Sequence, residues 1–316
     1  MVAQGRANIE RHLRNTMGAQ LTAYVDDPEV IDIMLNPDGM LFVRREGQFS
    51  TRVGEIREQA AAALISSVAE TLDRAPSSIS KIISGPFPIG GCSFEGLLSP
   101  IVPSPVFCIR KKPTQLRGLT SYVDRGLLSQ RFAEVLRTAV RDRKNIVIAG
   151  RACSGKTALA NALLAQIAEL APSHRLAVVE EEPELLCPTD NAVYLRTCTS
   201  VNLSTLLESA SRLRPDRVIV GEVRDRAAFD LIKSWRQGFS GGLTTIAAES
   251  CLSALARLEE LVAEAVPGRM QEMIGQTIDL IIGVEKVGPV HRVSGILKIE
   301  AFRDGSYSTF DIGEQE

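Results

Sequence analysis

The chain of 316 residues has only three histidines, His12, His174 and His291, and none of them lies in a motif. Acid–base chemistry built on histidine therefore has almost no material to work with. Its six cysteines (Cys92, Cys108, Cys153, Cys187, Cys198, Cys251) include no C-x-x-C pair, which argues against a zinc site and gives no disulfide framework. There is no excess of positive charge: 36 Lys and Arg face 38 Asp and Glu, for a net charge of −2. No global field draws the chain onto nucleic acid, so direct nucleic-acid binding is not indicated. No stretch approaches the roughly 18 consecutive apolar residues of a membrane-spanning helix. The start, MVAQGRANIERHLRN, lacks the apolar core of a signal peptide, so at most peripheral membrane contact is expected. No internal repeat or low-complexity segment stands out.

What is present is a hydrophobic content of 45% and a charged content of 23%, those of a globular protein with an ample core, in a length that suggests two domains. The centre of the chain is IVIAGRACSGKTALANALL, residues 146–164. An apolar run, Ile146 to Ala149, predicts a buried strand, and Ala158 to Leu164 predicts the start of a helix. Between them Gly150, Gly155, Lys156 and Thr157 satisfy G-x-x-x-x-G-K-[ST] in the strand–loop–helix setting that the pattern requires. Backbone amides and the positive end of the helix cradle phosphates, Lys156 reaches the outer two, and the Thr157 hydroxyl ligates Mg²⁺. The nucleotide-binding set is therefore Gly150, Arg151, Ala152, Cys153, Ser154, Gly155, Lys156, Thr157 and Ala158, with ATP and Mg²⁺ as the expected ligands.

Ahead of this loop, Ile9, Leu13, Met17 and Leu21 predict a helix over 6–25 with one buried face. Ile31–Leu35 and Met40–Arg44 flank the turn Asn36-Pro37-Asp38-Gly39 as a hairpin. A helix follows over 55–73, then short strands around Phe94–Leu98 and Val106–Arg110. The expected organisation is α/β throughout, with a first domain over 1–111, a proline-marked basic linker over 112–125 and a second domain over 126–316. In the second, a helix beginning at Ser129 leads into alternating strands (Leu176–Val179, Val218–Val220, Leu243–Ala247, Ile278–Val284) and helices, implying a mostly parallel sheet covered on both faces.

Such sheets put ligands at the carboxyl ends of their strands. Glu180, Glu181 and Glu182 follow one apolar run, and Gly221-Glu222 follows another. Each acidic end suits holding Mg²⁺ or orienting a water at the terminal phosphate, although a run of three glutamates is also an ordinary solvated surface. Arg196, Arg212, Arg214, Arg217 and Arg224 can each stabilise phosphoryl charge from their own or a neighbouring subunit. Spacing does not choose among them, and Arg217 also reads as a strand-edge surface charge.

IMLNPDG, FEGLLSPIV, IRKK, the phosphate loop, LRT, RLRPDRVIVGEVRD, LIKSW, GFSGGLTTI and RLEELVAEA follow one another from about residue 30 to 300. In that order and spacing they resemble the VirB11 family of secretion ATPases. The resemblance implies a PAS-like N-terminal domain and a RecA-like P-loop C-terminal domain with nucleotide between them. It implies a homohexameric ring, peripheral at the cytoplasmic face of the bacterial inner membrane, that meets the inner-membrane components of a conjugation or type IV secretion apparatus. ATP hydrolysis would then power assembly or transfer. By the same resemblance Lys156, Glu181, Glu222, Arg214 and Arg224 are catalytic, Glu180, Glu181, Glu222 and Thr157 serve the metal, and Arg110 lies near the nucleotide.

The chain departs from the family at the chemistry. Arg151, Ala152 and Cys153 replace Gly, Thr and Gly, Glu181 replaces Asp, Ser93 replaces Arg, and Phe239 and Ala247 replace histidines. Two functions follow. One is a slow ATPase, since phosphoryl transfer depends mainly on positioning and electrostatics. The other is a nucleotide-binding ring subunit with little turnover. A helicase of the same core is disfavoured by the charge balance.

Overall fold

A computed structural model describes residues 2–72, 81–111, 116–266, 268 and 270–313, with side chains from residue 7 onward. The chain divides into two compact units, residues 1–114 and 115–316.

In the first unit α1 (Val2–Asp26) buries Leu13, Met17 and Leu21, while Ile9 is exposed. It is two helices rather than the single one expected, because Gly18 takes φ +72° and breaks it. β1 (Val30–Leu35) and β2 (Met40–Arg45) pair as the predicted antiparallel hairpin. The predicted helix over 55–73 begins later, as α2 (Glu58–Thr71), because β3 (Thr51–Glu55) takes the residues before it. β4 (Ile82–Pro86), β5 (Ser93–Leu97) and β6 (Val106–Arg110) complete an antiparallel sheet in the order β3-β2-β1-β6-β5-β4. Its core joins Leu64, Ile65 and Val68 of α2 to Leu13, Ile33, Phe94 and Ile109.

The second unit corrects the expected linker. Residues 112–115 lie outside the described residues, but α3 (Leu119–Asp124) is a helix packed on α4 (Gln130–Arg141) and α5 (Lys156–Leu170). Ser129 caps α4 as its side chain accepts from Phe132 N at 3.1 Å, the usual device for an orphan first-turn amide. The strands are β7 (Ile146–Gly150), β8 (Leu176–Glu180), β9 (Ala192–Arg196), β10 (Arg217–Glu222), β11 (Leu243–Ala247), β12 (Leu280–Val287), β13 (Val290–Arg303) and β14 (Ser306–Ile312). The remaining helices are α6 (Leu203–Arg212), α7 (Ala227–Arg236), α8 (Cys251–Ala263) and α9 (Gln271–Thr277). Sheet order is β14-β13-β12-β7-β11-β10-β8-β9, parallel from β12 to β9, with β13 and β14 antiparallel beyond it. Alternate residues of β7 face opposite layers. Val147 and Ala149 join the core under α6, α7 and α8, whereas Ile146 and Ile148 join the one under α4 and α5. That is why these strands read as unbroken apolar runs.

Candidate nucleotide site

β7 lies between β11 and β12, so its carboxyl end opens where three strand ends meet. The loop leaves Gly150, bends through Cys153 at φ +56° and enters α5 through Gly155 at φ +95°. Cys153 keeps the left-handed conformation that its position requires, at a cost of about 1–2 kcal/mol for a residue with a β-carbon. Gly150 has no room for one, since a Cβ would collide with Ser154 Oγ and Val284 O. Arg151, Ala152, Cys153 and Ala158 are exposed.

Two features fit phosphate. Gly155 caps α5 with no side-chain acceptor, which leaves first-turn amides open to an anion. The buried Ser154 hydroxyl has no hydrogen-bond partner among the described residues. Lys156 is buried, and its Nζ donates to Gly150 O at 3.0 Å and Arg151 O at 3.1 Å, with Glu222 Oε1 at 3.8 Å. A phosphate group drawing it outward exchanges two carbonyls for a charge-assisted partner.

The acidic groups sort differently from the expectation. Glu180 is buried, and its Oε2 accepts from Glu184 N at 3.1 Å and Leu185 N at 3.0 Å, while Oε1 faces Arg196 Nε at 3.6 Å. It shapes the loop after β8, and the carboxylate that reaches Thr157 is one that sequence reasoning missed. Glu184 Oε2 accepts from the Thr157 hydroxyl at 3.0 Å, and Asn161 Nδ2 donates to Glu184 O at 3.1 Å. Its signal was present in EEEPE as a fourth carboxylate, but only the turn organised by Glu180 shows which one faces Thr157. Glu222 ends β10, where Arg224 Nε donates to it at 2.7 Å. Arg224 also stands 3.5 Å from Glu181, and the Glu222 hydrogen bond raises the guanidinium above its ordinary pKa. Thr157, Glu184, Glu222, Glu181 and Arg224 are thus linked around the loop.

Other expected residues lie elsewhere. Arg214 sits before β10 begins, at φ +53°, at the end of the sheet opposite the phosphate loop. It cannot serve the loop of its own chain, since β10 alone spans about 20 Å. Arg110 ends β6 in the first unit. Arg217, read either as a phosphate-serving arginine or as a strand-edge surface charge, is 1% exposed. Its guanidinium donates to Gly241 O at 2.8 Å, Val140 O at 3.0 Å and His174 Nδ1 at 3.0 Å, and burial lowers its pKa to about 10. Ala247 is exposed at the end of β11, and Phe239 packs against the core. His291, outside every motif, comes to the loop from β13, where a Cβ on Gly155 would meet its Cβ at 2.8 Å. No local pattern could have signalled it.

Among the described residues no group of three or more His, Cys, Asp or Glu is placed as a metal cage. Mg²⁺ is held by few protein oxygens together with phosphate and water, and the Thr157 hydroxyl with the carboxylates beside it is a donor set of that kind.

A family model described as "Type II/IV secretion system protein" matches residues 100–291. The chain belongs to this secretion-protein family. Over 299 residues it is 46% identical to "Conjugal transfer protein TrbB" of Rhizobium radiobacter, covering 95% of this chain and 93% of that protein. Over 177 residues it is 36% identical to "Type IV secretion system protein VirB11" of Bartonella quintana (strain Toulouse), covering 52% of this chain and 49% of that protein. In fold, the family member resembles the Yersinia pseudotuberculosis ATPase DotB with a TM-score of 0.65 at 16% identity, over 88% of this chain and 77% of the other. No helix of its described residues is long and apolar enough to cross a membrane.

Proposed function

We propose that this chain is an ATP-hydrolysing motor of a conjugation or type IV secretion system. The observation that carries the reading is the convergence of Lys156, Thr157, Glu184 and Glu222 at one strand-end cleft. The near-full-length relative is a conjugal transfer protein, which supplies the setting. ATP is the substrate. Lys156 leaves the loop carbonyls for the outer phosphates, and the open amides of α5 hold the inner ones. Bound Mg²⁺ would neutralise charge developing between the outer phosphates, with Thr157 as its protein ligand and Glu184 holding that hydroxyl in place. Glu222 lies close enough to the Lys156 ammonium to orient an attacking water on the far side of the terminal phosphate. Arg214, at the remote rim of the sheet, suits service to the nucleotide of an adjoining copy in a homohexameric ring. Docking of such a ring on inner-membrane components at the cytoplasmic face is part of the same reading.

A second reading, nucleotide binding with little turnover, has its own observation. Ala247 ends β11 beside Gly150, its pairing partner, and offers no side-chain donor there. Steady-state phosphate release by the purified oligomer with Mg²⁺ separates the two. Release well above that of Lys156→Ala is expected, and equal rates would leave only the second.

A further inference from the structure

The guanidinium of Arg151 is 77% exposed and ends on the Glu249 carboxylate, itself 74% exposed. Lys156 is engaged with carbonyls, Arg224 with Glu222 and Glu181, and Arg196 with Glu180. Arg151 is rooted in the phosphate loop itself, where its own carbonyl accepts from Lys156. Glu249 is fixed from the other side. It follows Ala248, whose amide donates to Gly150 O at 3.3 Å, and its own amide donates to Ser253 Oγ at 3.1 Å within the capping box that opens α8. A backbone anchored at both ends thus sets one carboxylate against the outermost cation of the loop.

Exposed single ion pairs are weak, whereas an arginine fork gains more from a phosphate group, with its higher charge and several acceptor oxygens. We propose that Arg151 is a phosphate-binding residue and Glu249 its resting counter-ion: nucleotide binding moves the guanidinium from the carboxylate to the terminal phosphate. Glu249 competes with the nucleotide for Arg151 and so sets the affinity of the site. The proposal rests on the nucleotide reading above and adds to it a competitor that is part of the chain.

The test is a two-residue cycle read as the Kd of a fluorescent ATP analogue at low ionic strength. Glu249→Gln is expected to tighten binding by about fivefold and Arg151→Gln to weaken it by a similar factor, the span of an exposed ion pair. In the Arg151→Gln background, Glu249→Gln should change Kd by less than about twofold, because its competitor role requires the arginine. Both side chains are exposed, so unfolding midpoints should match the parent. Equal tightening in both backgrounds, or none in either, overturns the exchange while leaving nucleotide binding intact. A parent chain that binds the analogue no better than Lys156→Ala overturns the nucleotide reading itself, and the exchange with it.

Discussion

At the scale of single residues, the site is governed by which atoms are already occupied. Glu180 has one oxygen committed to the backbone amides of Glu184 and Leu185, and through them it places Glu184. Glu184 in turn holds the hydroxyl assigned to Mg²⁺. Removing such a supporting partner typically costs 10–100-fold in metal affinity. Glu184→Gln should therefore raise the Mg²⁺ concentration needed for half-maximal phosphate release by about tenfold or more, while metal-free nucleotide binding stays close to the parent. An unchanged Mg²⁺ titration would remove Glu184 from the site. Cys153 offers a second measurement. It and Cys198 are exposed, whereas Cys92 is buried and burial pushes the Cys251 thiol up to about 11. Maleimide should label Cys153 and Cys198. ATP with Mg²⁺ should slow labelling of Cys153 alone, and peptide mapping reads both rates from one sample.

Elements stand or fall on contacts that run across the sheet. Arg217 ties the end of α4, the turn before β11 and the segment before β8 through three hydrogen bonds. Arg217→Met removes the donors to Gly241 O and Val140 O, of which Val140 O still accepts from Arg143 N, and should destabilise the second unit by about 2–3 kcal/mol in urea unfolding. Arg217→Lys should recover little, since an ammonium cannot reproduce the fork. Gly242→Ala should be at least as damaging, because a Cβ there collides with Val218 O and the Trp235 indole nitrogen that donates to it. A soluble Gly242→Ala variant with a parental midpoint would contradict that packing. The parallel strands were legible because burial on both faces makes them uniformly apolar, and the phosphate loop because its residue types are set by backbone geometry. Arg217 was misread because a lone charge in a sequence does not reveal three acceptors drawn from distant segments. Arg214 was named through the family resemblance, which does not reveal that strand direction carries it to the end of the sheet opposite the loop of its own chain. β3, β4, β9 and β14 alternate burial or lie at sheet edges, so no apolar run announced them.

The whole molecule carries a pH dependence through one of its few histidines. Burial, and secondly the charge of Arg217, hold His174 below its ordinary pKa, so the folded state resists a proton that the unfolded chain accepts near pH 6.5. Where the unfolded state binds more protons, stability rises with pH. The contribution is therefore complete above about pH 6.5 and is lost as pH falls from there through the depressed folded value. Urea midpoints should drop between pH 7.5 and 5.5, and His174→Gln should flatten that slope. Asp27, held low mainly by the Glu29 amide, acts only in the more acidic range below its ordinary 3.8.

The return of β12 and β13 over the phosphate loop also bears on how the protein is made. Gly150 meets Val284, and Gly155 meets His291. During synthesis the loop emerges from the ribosome long before these residues do. At about 5–20 residues per second it waits several seconds for its covering strands. A nascent chain arrested before residue 280 would carry every signature residue of the phosphate loop and still lack the wall against which that loop is set. The surroundings of the loop are thus completed only once residues about 130 positions further along the chain have been made.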